Sequence, residues 1–201
     1  MAKAIWRLVK SFYSIKNPEL SRIDLVVPLG YALLNGGELP DAAEKTLQEA
    51  VRIAIKYQAP IAFASTSYFG SARQGTESQL RASRIRAAGF AGKVMIGKGA
   101  INSVTEAQGI RQAVIKVGII RGKRIVIVAD WPHARSVRRI WRQVFPDANI
   151  VMVSVEGRWN EAHPCFFQRS ESRWLFVNIV RHLGLIVLGT KIVGLFYQPT
   201  Q

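Results

Sequence analysis

The chain has 201 residues, of which 49% are hydrophobic and 20% charged, and this suits one globular domain with a sizeable core. The same composition excludes a disordered chain, a collagen-like repeat and a coiled coil. A single cysteine, Cys165, excludes an internal disulfide and a cysteine-rich metal cluster, so we expect a reducing compartment.

The chain is strongly basic, with 28 Lys and Arg against 13 Asp and Glu and a formal net charge of +15. Such a charge attracts nucleic acid, anionic lipid or phosphorylated small molecules, and it also suits a surface that is basic only for solubility. The excess is spread along the chain rather than held in a tail, so it belongs to the folded surface.

Residues 1–20 form a basic amphipathic segment, in which Lys3, Arg7 and Lys10 interrupt the apolar run that a secretory signal needs. The apolar residues between them share one face at helical spacing. We therefore expect a helix that either packs on the core or rests on an anionic membrane surface.

The C-terminal segment is apolar, but Arg181, His182 and Lys191 divide it into pieces shorter than the ~20 residues that cross a bilayer. We expect neither a signal peptide nor a transmembrane helix. The predicted location is the cytoplasm, with peripheral attachment to the inner membrane as an option.

Short runs rich in β-branched residues alternate with segments long enough for crossover helices. Because these runs are apolar throughout, they suit a parallel sheet that helices cover on both faces. The sequence therefore predicts a doubly wound, Rossmann-like α/β core over residues 22–156, with a mainly parallel sheet of about five strands. Residues 157–201 are predicted as a connection and a C-terminal apolar helix of the same domain. The predicted strands are 23–27, 61–65, 93–96, 124–129 and 150–155.

Helix starts are marked by residue pairs with capping-box spacing, in which a side-chain acceptor precedes Glu or Gln by three positions. A fourth crossover helix is expected near Asp130, because Pro132 is tolerated in a first turn. The predicted pairs are Asp41 with Glu44, Thr76 with Gln79, and Ser103 with Glu106.

Ligands of an open parallel sheet bind beyond the carboxyl ends of the strands, where helix N-termini also point. That rule selects small and polar residues that could approach or bind a ligand. They are Gly30 after the first predicted strand, Ser65 after the second, Asn102 and Ser103 after the third, and Asp130 after the fourth.

Ionisable residues in the same loops suit proton transfer or an anionic ligand. His133 and Arg135 closely follow Asp130, and Glu77 and Glu106 lie near the predicted starts of two helices. The two glutamates are equally compatible with capping a helix or complementing its dipole. No Walker-type loop and no G-x-G-x-x-G is present, which disfavours a P-loop NTPase and a dinucleotide-dependent dehydrogenase.

The order of these residues resembles the bacterial YdcF, SanA and ElyC family. The resemblance covers roughly residues 22–156, and Arg173-Trp174 looks like the family's approach to its last helix. It implies a Rossmann-like fold, a cleft of charged residues and a role in cell-envelope or surface-polymer biogenesis. The residues that it places in the cleft are Gly30, Glu77, Ser103, Glu106, His133 and Arg135.

The chain departs from this family at three places within the core. The position at which the family has an arginine, early in the first crossover helix, falls near Lys45-Thr46 here. The family's Ser-Gly-Gly turn after strand two is replaced by Ser65-Thr66-Ser67-Tyr68, and Ser136 stands where the family commonly has an arginine.

The fourth crossover helix is predicted to carry one basic face, with Arg135, Arg138, Arg139 and Arg142 at helical spacing. This face suits either simple solvation or the binding of phosphates of lipid or nucleic acid. No aromatic residues interleave with the arginines, as single-strand binding usually requires.

The residues favour an enzyme that acts on a phosphate-bearing or nucleotide-like ligand. His133 would be the acid–base group, Glu77 and Glu106 would orient it or bind a metal, and Arg135 would hold the anion. The alternatives are a non-catalytic nucleotide-binding module at a membrane surface and a charge-driven nucleic-acid binder. The candidate cofactors are a nucleotide, S-adenosylmethionine or a divalent metal, and the expected partner is an anionic small molecule.

Overall fold

The computed structural model describes residues 2–31, 33–34, 37–66, 74–118 and 122–189, with the backbone alone at 2–5, 65–66 and 74–76. Strands and helices alternate along this part of the chain. The strands are β1 (Leu25–Pro28), β2 (Ile61–Thr66), β3 (Val94–Ala100), β4 (Arg124–Asp130) and β5 (Asn149–Val155). The helices are α1 (Ala2–Tyr13), α2 (Asp41–Tyr57), α3 (Gln74–Ala87), α4 (Ser103–Ile115), α5 (Trp131–Val144) and α6 (Glu171–Leu188).

The five strands form one parallel sheet in the order β3-β2-β1-β4-β5. Helices α2 and α3 contact each other on one side, and α4, α5 and α6 contact in series on the other. The predicted Rossmann-like, doubly wound fold is therefore confirmed. Because β1 and β4 are neighbours but not consecutive, the winding reverses between them, and a crevice opens at their carboxyl ends.

Burial on both faces explains why the central strands β1 and β4 are apolar over nearly their whole length, whereas the edge strand β3 exposes Ile96 and Lys98. Residues 125–129 of β4, at the centre of the core, are fully buried. Strand β3 extends to Ala100, beyond the predicted end at residue 96, because Gly97 and the residues after it continue the pairing with β2.

Helix α4 packs unusually close to β3 through a pair of glycines. A Cβ atom added to Gly97 would lie 2.9 Å from the backbone carbon of Gly109 and from the backbone nitrogen of Ile110. This approach of helix to strand therefore depends on glycine at position 97.

The helices whose starts were predicted are present, but the predicted residue pairs do not cap them. Helix α4 is capped by Asn102, whose side chain accepts from the backbone of Thr105, and not by Ser103 with Glu106. Helix α2 follows Pro40 without a side-chain cap, and α3 begins at Gln74, before Thr76. Asparagine satisfies free backbone N–H groups as well as serine does. Because the spacing rule requires Glu or Gln three positions later, it selected Ser103 instead of Asn102.

Helix α1, from the basic amphipathic segment, packs on α5 and α6. In the described part of the chain, no helix is both long and apolar enough to cross a membrane. The residues of this contact are Trp6, Val9 and Tyr13 on α1 and Trp131, Leu175 and Ile179 on the other two helices.

We predict that Gly97→Ala destabilises the protein by about 1–3 kcal/mol, because the added methyl group overpacks the contact between β3 and α4. That loss exceeds the ~0.4–1 kcal/mol that alanine contributes by restricting the unfolded chain. Urea unfolding measures the difference. Lys98→Ala, at an exposed position of the same strand, is the control and should stay within about 0.5 kcal/mol of the wild type.

Candidate active site

Buried ionisable side chains gather where β1, β2 and β4 end and α4 and α5 begin. We distinguish a carboxylate–arginine cluster, formed by Glu77, Arg81 and Glu106, from a histidine cluster, formed by Ser103, Asp130, His133 and Arg181. All of these side chains are buried. The position matches the crevice that the strand order creates beside β1 and β4.

Arg81 holds the ends of two strands together. Its guanidinium donates from Nη2 to the carbonyl oxygens of Pro28 at 2.7 Å and Leu29 at 3.1 Å, and from Nη1 to that of Ala64 at 3.2 Å. The guanidinium also lies 4.6 Å from the ring centroid of Phe63. With only 2% of the residue exposed, this charge is one of the most deeply buried in the molecule.

The two glutamates of this cluster have different partners. Glu77 Oε1 lies 3.7 Å from Arg81 Nη1, and Glu106 Oε1 accepts a hydrogen bond of 2.8 Å from the backbone N–H of Gly30. Glu106 therefore reaches across to the loop after β1 instead of capping its own helix.

Burial raises the pKa of Glu106 to about 7, and the negative charge of Glu77 adds to that rise. The Gly30 N–H and the Arg81 charge oppose it. A carboxyl group with such a pKa exchanges its proton near neutral pH, which is the property that a general acid or base needs.

Asp130, at the end of β4, is fixed by residues from both sides of the crevice. Its Oδ1 accepts from the Tyr31 hydroxyl, and its Oδ2 accepts from Trp174 Nε1 at 2.6 Å. Burial raises the pKa of Asp130 to about 6, while these two hydrogen bonds lower it. The carboxyl group is thus held in one orientation beside the histidine.

His133 is the centre of the histidine cluster. Its Nε2 lies 3.2 Å from Ser103 Oγ and 3.2 Å from Arg181 Nη1. Because a guanidinium can only donate, we assign Nε2 as an acceptor and place the ring proton on Nδ1. Nδ1 lies 3.8 Å from Asp130 Oδ1 and has no hydrogen-bond partner in the described part of the chain.

Burial, assisted by the charge of Arg181, holds the pKa of His133 well below its usual range. The imidazole is therefore neutral, with its Nε2 lone pair directed at a hydroxyl and a guanidinium. The order hydroxyl, imidazole, carboxylate is the arrangement that general-base activation of a hydroxyl uses.

The structure gathers most of the predicted site residues at one edge. Asn102 lies beside them, but its side chain serves as the cap of α4. Ser65 belongs to β2, and its side chain lies outside the described residues. The residues that are brought together are Gly30, Glu77, Ser103, Glu106, Asp130 and His133.

Arg135 does not lie in the cleft with His133, contrary to the expectation from sequence. Its Nε donates to the carbonyl of Tyr13 and its Nη2 donates to that of Phe12 at 2.7 Å, at the C-terminal end of α1. Because α5 already begins at Trp131, residues 133 and 135 point to nearly opposite sides of the helix.

Two residues of the clusters, and Tyr31, which bonds to Asp130, were not among the predicted ones. Arg81 follows Glu77 by four positions on α3, a spacing that could have indicated the pair. Arg181 is a charge within an apolar helix, and such charges are buried only when they have partners. Tyr31 gives no local signal, because its partner Asp130 is 99 positions away.

Within the described ranges, no group of three or more His, Cys, Asp or Glu side chains is arranged to hold a metal ion. The positive charge beside Glu77 is supplied instead by Arg81.

The fold and the clusters define an α/β protein of the Rossmann-like class with a buried ionisable site where the winding of the sheet reverses. Comparison with protein-family models, with curated proteins and with solved structures found no match to this chain. The resemblance to the YdcF, SanA and ElyC family stays a prediction.

We predict that Arg81→Met destabilises the fold by about 3–5 kcal/mol, because it removes the cation that lies beside the buried Glu77 carboxylate. The double variant Arg81→Met/Glu77→Gln should recover part of that loss, since the remaining side chain is neutral. Urea unfolding of the wild type, both single variants and the double variant gives the coupling. Strictly additive losses would show that the two charges do not depend on each other.

We also predict that Glu106→Gln changes how stability depends on pH. The unfolded carboxyl has a pKa of about 4.3, so between that pH and about 7 the folded protein retains a proton that the unfolded chain releases. The wild-type free energy of unfolding should therefore fall as pH rises through this range, by roughly 3 kcal/mol from this group.

Glutamine is neutral at every pH and its Oε1 can still accept from Gly30. Glu106→Gln should therefore match the wild type at about pH 4 and exceed it at about pH 8, as measured by urea unfolding at both values. Parallel pH profiles for the two proteins would contradict the raised pKa.

Proposed function

We propose that this protein is an enzyme of the YdcF, SanA and ElyC type that acts on a phosphate-bearing or nucleotide-like ligand, with His133 as its acid–base group. The observation that carries the proposal is the contact of His133 Nε2 with both Ser103 Oγ and Arg181 Nη1. It combines a base, a hydroxyl and a cation at the edge of the sheet where ligands of this fold bind.

The base has its lone pair where a proton would arrive. With the ring proton on Nδ1, Nε2 faces the Ser103 hydroxyl at 3.2 Å and can accept its proton, or that of a ligand hydroxyl in the same position. Asp130 Oδ1, 3.8 Å from Nδ1, then stabilises the imidazolium that forms.

The positive charge of Arg181 favours an anionic ligand over a neutral one. While it donates to Nε2, it weakens His133 as a base. A phosphate oxygen that accepts from Arg181 would release Nε2, and its negative charge would raise the pKa of His133. Ligand binding would thus make His133 a stronger base. The positive end of the α4 dipole, at Ser103, favours the same anion.

Glu106 supplies a second proton-exchanging group. Its pKa of about 7 and its place in the first turn of α4, three residues after Ser103, suit the donation of a proton to a leaving group. Burial is the main cause of that raised pKa and the charge of Glu77 adds to it, so we assign Glu77 a positioning role.

The non-catalytic nucleotide-binding module would use the same cluster and differ only in the absence of turnover. The resemblance to the YdcF, SanA and ElyC family supports a role in cell-envelope or surface-polymer biogenesis. Measuring binding and turnover side by side distinguishes the enzyme from the non-catalytic module.

The experiment offers the protein a panel of nucleotides, sugar nucleotides, polyprenyl phosphates and S-adenosylmethionine, with and without divalent metals. Thermal shift reports binding, since a ligand at 100 times its Kd stabilises by ~2.7 kcal/mol, and mass spectrometry reports product. We predict that His133→Gln lowers turnover by about 10²–10⁴-fold while ligand stabilisation persists. Glutamine can keep an acceptor near Ser103 and Arg181, but it cannot take up a proton.

The matched control is His163→Asn, which alters a buried histidine whose Nδ1 only accepts from the backbone N–H of Cys165. It should leave turnover unchanged. Full turnover in His133→Gln would reject the acid–base role, and binding without product in the wild type would favour the non-catalytic module.

A further inference from the structure

An open groove of about 680 Å³ lies on the side of α5 that faces away from His133. It is bounded by the end of α1, by α5 and by His182 on α6. We name it the arginine groove, after the basic residues that line it: Lys16, Arg135, Arg138, Arg139, Arg142 and His182.

The positive charges of this groove have no acidic partner in the described part of the chain. No acidic residue lines the groove, and its arginines and Lys16 form no salt bridge there. Burial, together with the charges of Arg142 and Arg135, lowers the pKa of Arg138. The buried Nε of Arg138 and the buried Nδ1 of His182 also find no hydrogen-bond partner among the described residues. An anion in the groove would reduce the electrostatic repulsion between these cations.

Exposed apolar side chains border the groove on α1. Phe12 is 80% exposed and Leu8, one turn earlier, is 72% exposed. The Phe12 ring centroid lies 5.9 Å from the guanidinium carbon of Arg135, so apolar and basic groups adjoin.

Helix α6 contacts α1 through the bond from the Tyr13 hydroxyl to the Asn178 carbonyl, and it carries a longer exposed apolar face of its own. Four of its apolar residues are exposed at spacings of three or four, which places them on one side of the helix. We name them the α6 stripe: Phe176, Val180, Leu183 and Val187.

We propose that this face of the protein docks on an anionic phospholipid bilayer, with lipid phosphates in the arginine groove and with Phe12, Leu8 and the α6 stripe in the interfacial layer. Charge complementarity and the adjoining apolar surface select this occupant together. A free phosphate compound or a nucleic acid would fill the groove but leave the apolar surface in water. An anionic lipid surface covers both.

Docking in this orientation leaves the histidine cluster free, because His133 and Arg135 lie on opposite sides of α5. The proposal is therefore independent of whether the histidine cluster is catalytic, and its test does not require a substrate.

The experiment is co-sedimentation of the full chain with vesicles of phosphatidylcholine alone and of phosphatidylcholine mixed equally with phosphatidylglycerol. We predict binding to the mixed vesicles only, and weaker binding as salt is added. The double variant Lys16→Glu/Arg142→Glu, at two exposed groove positions, should weaken binding at least about tenfold. Lys93→Glu/Lys98→Glu, at exposed positions by the opposite edge strand β3, changes the net charge equally and should bind as the wild type does.

A second pair of variants separates the apolar contribution from charge. Phe12→Ser/Leu183→Ser should also weaken binding at least about tenfold, because two large side chains no longer enter the interface. Ile55→Ser/Ile115→Ser, at exposed apolar positions on α2 and α4, is the matched control and should bind normally. Circular dichroism confirms that each variant is folded.

Three outcomes would overturn the proposal. The first is the absence of binding to mixed vesicles, and the second is equal weakening by both charge variants, which would make net charge alone responsible. The third is that Phe12→Ser/Leu183→Ser binds vesicles as the wild type does, while short DNA or inositol hexakisphosphate displaces the protein from the vesicles. That result would identify the groove as a site for soluble polyanions or nucleic acid.

Discussion

The structure depends on the balance of charge buried at the carboxyl edge of the sheet. Parallel strands end in carbonyl oxygens that need donors once helices exclude water, and Arg81 supplies donors to the ends of both β1 and β2. Burying that cation is favourable only beside negative charge, which Glu77 provides. Glu106, close to both, has a pKa of about 7 because it is buried; the charge of Glu77 adds to that rise and the charge of Arg81 opposes it. Burial at this edge of the sheet thus creates a group fitted for proton transfer.

The residue at which α5 begins determines which side chains face each side of this helix, and the two sides differ chemically. Because the helix begins directly after Asp130, His133 points into the crevice beside Ser103, whereas Arg135 points away and binds the end of α1. One side collects a neutral imidazole, a hydroxyl and a single guanidinium. The other collects several cations next to apolar side chains. A rotation of α5 by half a turn would exchange these chemistries, so the two proposed roles share one structural cause.

Much of this arrangement could be predicted from the chain alone. Apolar, β-branched runs predicted the parallel sheet, and the carboxyl-end rule selected Gly30, Ser103 and His133. The rule works because loops that follow parallel strands share one edge regardless of side-chain detail. It could not place Arg135, since the choice between cleft and surface depended on where a helix turn begins. It also could not identify Arg81 and Arg181, which lie within helices rather than in loops.

The sequence by itself determined the class of fold, the succession of strands and helices, and the edge at which ionisable residues meet. These are consequences of local hydrophobic pattern, which acts over a few residues at a time. Only the tertiary structure decided the partners: Tyr31 with Asp130, 99 positions apart, and Arg181 with His133, 48 positions apart. Such contacts, and the pKa values that follow from them, depend on how distant segments pack and exclude water. Burial, rather than residue type, therefore gave these common side chains their unusual properties.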